Sequence, residues 1–252
     1  MPGTARIYVF GEGKTDRLVF NFLKDKKSPE SPLGNLIPVG GKGNFKHEIL
    51  DKVKPDIEAK RNEIRVLVFR DVDEGEEVQN IVQSFQAIVE DLLEHQDLKP
   101  TPTSQGGIIY TWQVPANSKF PGFRFVLHIA EEIRGNPKSL RNRTTDGYVL
   151  ALGLTEQVLE GFAEDVGSNN DILHKLITSK IPETIRQCNI TINEDKDYLA
   201  AYLTATRFWV MKRSEEKELL TRIILERAWK YNEERFKEVF SSWFKAIEEV
   251  LR

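Results

Sequence analysis

The stretch Ala5–Asp16 (ARIYVFGEGKTD) decides the predicted fold, because it joins a short apolar run to a turn and to a helix start. The run ARIYVF is β-branched and aromatic, as is typical of a buried strand. Gly11-Glu12-Gly13 provides a tight turn after it. Thr15 or Asp16 can then cap the helix whose apolar positions follow. A strand that leads through a turn into a helix is the building unit of an α/β sheet.

Two further strand–helix pairs repeat this unit. Asn35–Val39 (NLIPV) ends in the glycine-rich segment Gly40–Asn44 (GGKGN), after which a helix begins. Ile64–Phe69 (IRVLVF) is the clearest strand of the chain, and Glu76–Leu93 has the apolar spacing of a helix. The alternation predicts an α/β fold with a parallel sheet flanked by helices and joined by right-handed crossovers. Two more β-like runs follow, Gly107–Val114 and Phe123–Ile129.

The second half of the chain has a different composition. Eleven of the 16 glycines lie before residue 123 and none follows Gly167, which favours helices in this half. Helices are predicted near residues 145–164, 169–188, 195–211 and 214–250. The apolar stripes of the last one fit a helix–helix core, with a surface for a partner protein or for self-association as the alternative. The chain is therefore predicted to consist of an α/β domain, residues 1–133, and a mainly helical region, residues 134–252.

The amino-acid composition excludes several classes of protein and site. The 252 residues carry 36 Lys and Arg against 39 Asp and Glu, so a nucleic-acid partner would need a local basic surface. A single cysteine, Cys188, excludes a disulfide framework within the chain and a cysteine-based zinc site. No apolar run is long enough to span a bilayer. We expect a cytoplasmic protein with no membrane partner.

Acidic residues follow two of the predicted strands. Glu12 comes after the first, Asp71 and Asp73 come after the third, and Asp16 lies one helical turn beyond Glu12. Ligands of open α/β sheets bind at the carboxyl ends of strands, where these side chains can converge. Carboxylates at one point repel one another, and Mg²⁺ or Mn²⁺ relieves that repulsion. We predict a metal site formed by these four residues, with helix capping and a solvated helix start as the alternative.

Two other ligand-binding motifs fail at single positions. Gly13-Lys14-Thr15 would end a phosphate-binding loop, but Tyr8 stands where that motif requires its first glycine. Asp71-Val72-Asp73 would begin a calcium-binding loop, but Glu76 stands at its glycine position. A nucleotide hydrolase of the phosphate-loop type is therefore the least supported function.

The placement of the acidic motifs resembles that in the TOPRIM domain of topoisomerases, bacterial primases, small RNA-maturing nucleases and OLD-family nucleases. Glu12-Gly13-Lys14-Thr15-Asp16 is most similar to the OLD and small-nuclease branch, and Asp71-Val72-Asp73 follows the third strand as in the family. Gly40–Asn44 resembles a segment of small stand-alone bacterial TOPRIM-like proteins. Over about residues 5–130 the resemblance implies a Rossmann-like TOPRIM sheet. Gly75 stands in place of a third aspartate, which weakens a primase or topoisomerase assignment.

The resemblance implies a site and a reaction. Glu12, Asp71 and Asp73 match the family's catalytic and metal-binding carboxylates, and Asp16 matches the additional metal ligand of the nuclease branch. The implied activity is that of a nuclease that cleaves phosphodiester bonds of DNA or RNA with bound Mg²⁺ or Mn²⁺. A metal- or nucleotide-binding module of the same fold, without turnover, is the alternative.

Contacts with a nucleic acid would come from basic and aromatic side chains around this site. Lys14 and Lys42 are the candidates for phosphate binding. Arg70 is predicted to point away from the site, because neighbouring side chains of a strand alternate in direction. Further candidates for backbone contacts are Lys46, Lys52, Lys54, Arg141 and Arg143. Candidates for base stacking are Tyr110, Trp112 and Phe120, although aromatics at these spacings fit a core better.

Overall fold

The computed structural model describes residues 5–27, 32–137, 140, 143–206 and 216–252. Within these ranges six strands form one sheet: β1 (Arg6–Gly11), β2 (Ile37–Pro38), β3 (Ile64–Arg70), β4 (Thr103–Gln105), β5 (Ile109–Val114) and β6 (Phe123–Ile129). Helices flank this sheet and dominate the second half of the chain. The predicted α/β class with a mainly helical C-terminal region is therefore confirmed.

The helices of the described ranges are shorter and more numerous than predicted. They are α1 (Lys14–Lys27), α2 (Phe45–Ala59), α3 (Val78–Leu93), α4 (Thr145–Gly153), α5 (Glu156–Asp165), α6 (Asn170–Lys175), α7 (Ile181–Gln187), α8 (Asp195–Ala205), α9 (Glu216–Tyr231), α10 (Glu233–Val239) and α11 (Ser241–Leu251). The single helix predicted over residues 214–250 is thus three helices. One break has a clear cause, because the Asn232 side chain accepts the N–H of Arg235 at 3.2 Å and so starts α10.

The strand order β2-β1-β3-β6-β5-β4 combines a parallel core with an antiparallel edge. β1 pairs in parallel with both β2 and β3, as predicted, and β3 pairs in parallel with β6. β5 is antiparallel to β6 and β4 is antiparallel to β5, so the sheet is mostly parallel, with an antiparallel edge whose direction the sequence had left open. Only eight residues connect β5 to β6, which is too short for the helical crossover that parallel neighbours need.

Helices cover both faces of the sheet. On one face α2 and α3 pack over buried apolar residues that include Val66 and Phe125. On the other face Phe69 stacks on Trp243 of α11, with ring centroids 3.9 Å apart, and contacts Phe20 of α1. Because β3 is buried on both sides, its sequence is almost continuously apolar rather than alternating.

Arginines hold the last helix on the sheet. Arg124 of β6 is 8% exposed and donates to the Glu249 carboxylate at 2.9 Å and to the Glu249 carbonyl oxygen at 3.0 Å. Arg65 of β3 donates to the carbonyl oxygens of Val250 and Leu251. Cations at this end of a helix compensate the negative pole of its dipole. The C-terminal helix is therefore a structural part of the α/β half.

The described chain divides into two compact units. The first combines the residues up to Ala130 with Ser242–Arg252, and the second is Glu131–Ser241. The sheet, α1–α3 and nearly all of α11 belong to the first unit, and α4–α10 belong to the second. In the second unit Leu225 and Phe236 are fully buried, which supports the core interpretation of the predicted apolar stripes. None of the helices in the described ranges has the length and apolarity that a bilayer span requires.

Candidate functional site

The ends of two neighbouring strands bring the predicted acidic residues together. β1 and β3 pair in parallel, with Phe10 opposite Val68, so the residues that follow them meet at one edge of the sheet. Glu12 Oε1 accepts the backbone N–H of Asp71 at 3.2 Å across this edge. Val72 is buried, whereas Asp71 and Asp73 on either side of it are partly exposed. The predicted proximity of Glu12 to the acidic residues after β3 is therefore found in the structure.

Arg70 lies inside this group, contrary to the expectation that it points away. Its guanidinium donates to Glu12 Oε1 at 2.5 Å and to both carboxylate oxygens of Glu76 at 2.9 Å. It also donates to the carbonyl oxygen of Asp71. The side chain is only 6% exposed. Strand alternation fixes the direction of the Cβ atom, but a long arginine at the last position of a strand can fold back around the strand end.

Glu76 is the second residue that sequence reasoning missed. It receives both arms of the Arg70 guanidinium, and its Oε2 also accepts the backbone N–H of Asp73 at 3.0 Å. A carboxylate that reaches back three residues to a backbone N–H is half of a capping box, so the Asp73–Glu76 spacing was the available signal. For Arg70 the signal was electrostatic, because a cation among four carboxylates is expected to pair with them.

The glycine-rich segment after β2 places Lys42 opposite these carboxylates. The N–H groups of Gly40 and Gly41 donate to the carbonyl oxygen of Glu12 at 3.0 and 3.1 Å. Their φ angles are +75° and +119°, which glycine adopts readily and other residues rarely do. Lys42 Nζ then contacts Asp73 Oδ2 at 2.5 Å and Glu76 Oε1 at 3.1 Å. We call Glu12, Asp71, Asp73, Glu76, Arg70 and Lys42 the strand-end cluster.

Burial and pairing set the protonation of the cluster. Burial raises the pKa of Glu12 above its usual range, and the charge of Arg70 offsets this only in part. Burial also raises the pKa of Glu76, but hydrogen bonds from Asp73 and Lys42 and the charge of Arg70 outweigh it, so the pKa is lowered. Hydrogen bonds to Asp73 and then to Glu76 raise the pKa of Lys42. Protonation is therefore easier at Glu12 than at Glu76.

Two other predicted residues lie at the start of α1. Asp16 is buried, and its Oδ2 accepts the N–H of Gly13 at 2.8 Å. This contact supplies the helix-start role that stood as the alternative to metal binding. Lys14 is the exposed first residue of the same helix. Their predicted roles toward metal and phosphate stay predictions.

A divalent metal at the cluster would have to compete with the cations that already pair with its carboxylates. Within the ranges that the structure describes, no three His, Cys, Asp or Glu side chains are grouped to hold a metal ion. Cations separate the carboxylates of the cluster. Arg70 lies between Glu12 and Glu76, and Lys42 lies between Asp73 and Glu76. The donors are nonetheless all carboxylate oxygens, which Mg²⁺ and Mn²⁺ prefer. Lys42 is 47% exposed, so its contacts with Asp73 and Glu76 are open to solvent.

The other residues predicted to contact nucleic acid lie in different environments. Lys46, Lys52 and Lys54 are paired with Asp91, Glu48 and Glu94 respectively. Trp112 is fully buried and donates to Gln86, and Phe120 is buried as well, so the core position that their spacing favoured is found for both. Tyr110 is partly exposed, with its hydroxyl donating to the carbonyl oxygen of Gly107. Arg143 lies in the second unit, and Arg141 lies outside the described residues.

Comparison with known proteins identifies no relative of this chain. No protein-family model, no curated protein and no solved structure matches the chain. The resemblance to the TOPRIM domain therefore depends on the two acidic motifs, their placement after β1 and β3, and the glycine-rich segment after β2.

Proposed function

We propose that this chain is a TOPRIM-like, divalent-metal-dependent enzyme that hydrolyses phosphodiester bonds of DNA or RNA at the strand-end cluster. The observation that carries the proposal is the convergence of carboxylates at the carboxyl ends of β1 and β3. Glu12, Asp73 and Glu76 pair there with Arg70 and Lys42, and the backbone N–H of Asp71 donates to Glu12. This convergence of carboxylates favours binding of one Mg²⁺ or Mn²⁺ ion, because these ions prefer carboxylate oxygen ligands.

The residues of the cluster have distinct roles in this proposal. Asp71, Asp73 and Glu76 would hold the cation, with Asp16 as a further ligand, and a bound cation would activate water and neutralise phosphate charge. Glu12 accepts a proton as general base, since its pKa is raised by burial. Arg70 holds Glu12 in place through its 2.5 Å contact. Lys42, together with Lys14, offers an ammonium group to the phosphate.

Mn²⁺ binding, measured by calorimetry, tests the metal. We expect the wild type to bind and the Asp71→Asn/Asp73→Asn variant to bind at least about tenfold more weakly, because two anionic ligands are lost. Asp51→Asn, an exposed carboxylate of α2, is the matched control and should bind like the wild type. Circular dichroism confirms folding. A wild type that does not bind Mn²⁺, or a folded double variant that binds normally, contradicts the proposal.

Removing the ammonium group of Lys42 is expected to strengthen metal binding. In Lys42→Met no ammonium competes for Asp73 and Glu76, and no positive charge repels the metal. We expect Mn²⁺ affinity to rise by about three- to tenfold, the range of exposed ion pairs and screened repulsion. Lys46→Met is the control, because Lys46 pairs with Asp91 outside the cluster. Unchanged or weaker binding in Lys42→Met would show that this lysine does not occupy the cation position.

A second function is favoured by the pairing that already exists within the cluster. Arg70 already pairs with Glu12 and Glu76, and Lys42 already pairs with Asp73. This pairing is compatible with a non-catalytic module that binds metal or nucleotide. Cleavage of single- and double-stranded DNA and RNA in the presence of Mn²⁺ separates the two functions. Cleavage by the wild type but not by Asp71→Asn/Asp73→Asn supports the enzyme. Metal binding without any cleavage supports the module.

The proposal includes the compartment and the partners of the protein. The single cysteine, Cys188, is exposed and free, which fits a reducing compartment such as the cytoplasm. Nucleic acid is the proposed partner, reached through the strand-end cluster. A partner protein or a second copy bound by the C-terminal helices stays a weaker proposal, because Phe236 and Trp243 of these helices are buried.

A further inference from the structure

The loop that carries Lys42 is tied by its backbone to the residues that follow β1. The N–H groups of Gly40 and Gly41 donate to the carbonyl oxygen of Glu12 at 3.0 and 3.1 Å. These two bonds fix the loop as far as Gly41. Lys42 comes directly after them, at the start of a 3₁₀ turn, Lys42–Asn44. The position of its side chain therefore depends on how this turn is held.

Asn44 closes the loop with its side-chain amide. Its Nδ2 donates to the carbonyl oxygen of Val39 at 3.0 Å and to that of Gly40 at 3.3 Å. Its backbone N–H donates to the carbonyl oxygen of Gly41 at 3.1 Å. Two carbonyl oxygens accept only from donors, so the amide presents its nitrogen to them and not its oxygen. Asn44 thus joins the end of the loop to its beginning, and Lys42 lies between the two.

The place of Asn44 in the sequence favours another role, which its side chain does not take. Asn44 immediately precedes α2, where an asparagine side chain ordinarily accepts a helix N–H. Within the part of the chain that the structure describes, no N–H of α2 donates to this side chain. Serine or aspartate would serve a helix start equally well, whereas closing the loop requires the N–H donors of an amide. The side chain therefore serves the loop before α2 and not the helix.

We propose that Asn44 is a positioning residue whose amide holds the Lys42 ammonium at the carboxylates of the strand-end cluster. Lys42 Nζ contacts Asp73 at 2.5 Å and Glu76 at 3.1 Å, and both contacts are exposed to solvent. Exposed ion pairs are weak because ordering a long side chain costs entropy. A closed loop lowers that cost by fixing the backbone that carries the lysine. This role rests on the proposed function, in which Lys42 is a group offered to the phosphate.

Carbodiimide cross-linking tests the position of Lys42 without a metal or a nucleic acid. An amide bond forms between Nζ and a nearby carboxyl carbon, and the carbodiimide takes up the water that is lost and becomes a urea. Mass spectrometry of the digested protein measures the products of Lys42 with the cluster carboxylates against the Lys46–Asp91 product, whose partners lie 2.7 Å apart outside the cluster. We expect Asn44→Ala to lower this ratio by about fivefold, as when a hydrogen bond of typical net strength no longer holds the loop.

Asn44→Ser separates loop closure from helix capping. Serine is a preferred residue at a helix start but carries no amide, so the ratio should fall as in Asn44→Ala. Asn62→Ala, next to the amino end of β3, is the matched control and should keep the wild-type ratio. Circular dichroism confirms folding. A wild-type ratio in folded Asn44→Ala or Asn44→Ser overturns the proposal, and so does the absence of a Lys42 product in the wild type.

Mn²⁺ binding tests whether Asn44 acts through Lys42. We expect Asn44→Ala to raise the Mn²⁺ affinity in the same direction as Lys42→Met, because a released ammonium competes less for the carboxylates. In the Lys42→Met background, Asn44→Ala should change the affinity no further, since residues that act through one group are not additive. A further change of affinity in the double variant overturns the proposal.

The two proposals fail in different experiments. Mn²⁺ binding by the wild type, together with an unchanged cross-link ratio in Asn44→Ala, leaves the metal-dependent function and removes the positioning role. A ratio that falls in Asn44→Ala and Asn44→Ser, in a protein that does not bind Mn²⁺, retains the positioning of Lys42 and removes the metal.

Discussion

Arg70→Met is expected to lower the free energy of unfolding of the first unit by about 3 kcal/mol, the lower range for breaking a buried ion pair from one side. The wild-type guanidinium, 6% exposed, is shared between Glu12 and Glu76. Without it, both carboxylates lose their buried counter-charge and three hydrogen bonds in a partly dry site. Urea unfolding followed by tryptophan fluorescence measures the change, since Trp112 and Trp243 are buried in this unit.

Two further variants make the result specific to the cluster. Arg17→Met removes an exposed arginine of α1 and should change the free energy of unfolding by no more than about 0.5 kcal/mol. Arg70→Lys keeps the charge but loses the two-armed contact with Glu76, so an intermediate loss is expected. If Arg70→Met is as stable as Arg17→Met, the carboxylates are not held by Arg70, and the arrangement of the strand-end cluster is wrong.

The stability prediction bears on function because it concerns how the carboxylates are held before a substrate arrives. Arg70 fixes Glu12 and Glu76 from the buried side, whereas Lys42 contacts Asp73 and Glu76 from the exposed side. A buried cation is costly to remove and an exposed one is not. Arg70 is thus a permanent member of the site, whereas the exposed contacts of Lys42 can be exchanged at little cost in stability.

The sequence predicted the elements whose signals are local. The apolar runs of β1 and β3, with turns directly after them, identified the two central strands and placed Glu12 beside Asp71. Strand periodicity and turn residues are sufficient for this, because parallel strands in one sheet align their carboxyl ends. The metal, the reaction and the TOPRIM relationship stay predictions.

Features that depend on long-range packing were missed. The direction of β5 follows from the short connection to β6, and the return of α11 to the sheet follows from Arg124 and Glu249, which lie 125 residues apart. Arg70 was misjudged because an alternation rule describes where a side chain starts and not where a long one ends.

Acid is expected to destabilise the first unit through one buried histidine. His128 of β6 is 1% exposed, lies beside the rings of Phe69 and Trp243, and forms a 2.9 Å hydrogen bond with Ser242 Oγ. Burial lowers its pKa from 6.5 to about 3. Below pH 6.5 the unfolded chain therefore takes up a proton that the folded chain does not. This contribution to stability is complete above pH 6.5 and declines by about 1.4 kcal/mol per pH unit as the pH falls toward 3.

Comparison of urea unfolding at pH 7.5 and pH 4.5 isolates this contribution when the wild type is measured beside His128→Gln. Glutamine can still bond Ser242 but does not titrate, so the loss of stability between the two pH values should shrink by about 2.5 kcal/mol. His47→Gln, an exposed histidine of α2, should keep the full wild-type loss. An equal loss in the wild type and His128→Gln would mean that His128 is protonated in the folded chain. The packing of α11 against β6 would then have to differ from the arrangement described, because burial beside the rings of Phe69 and Trp243 disfavours a charged imidazole.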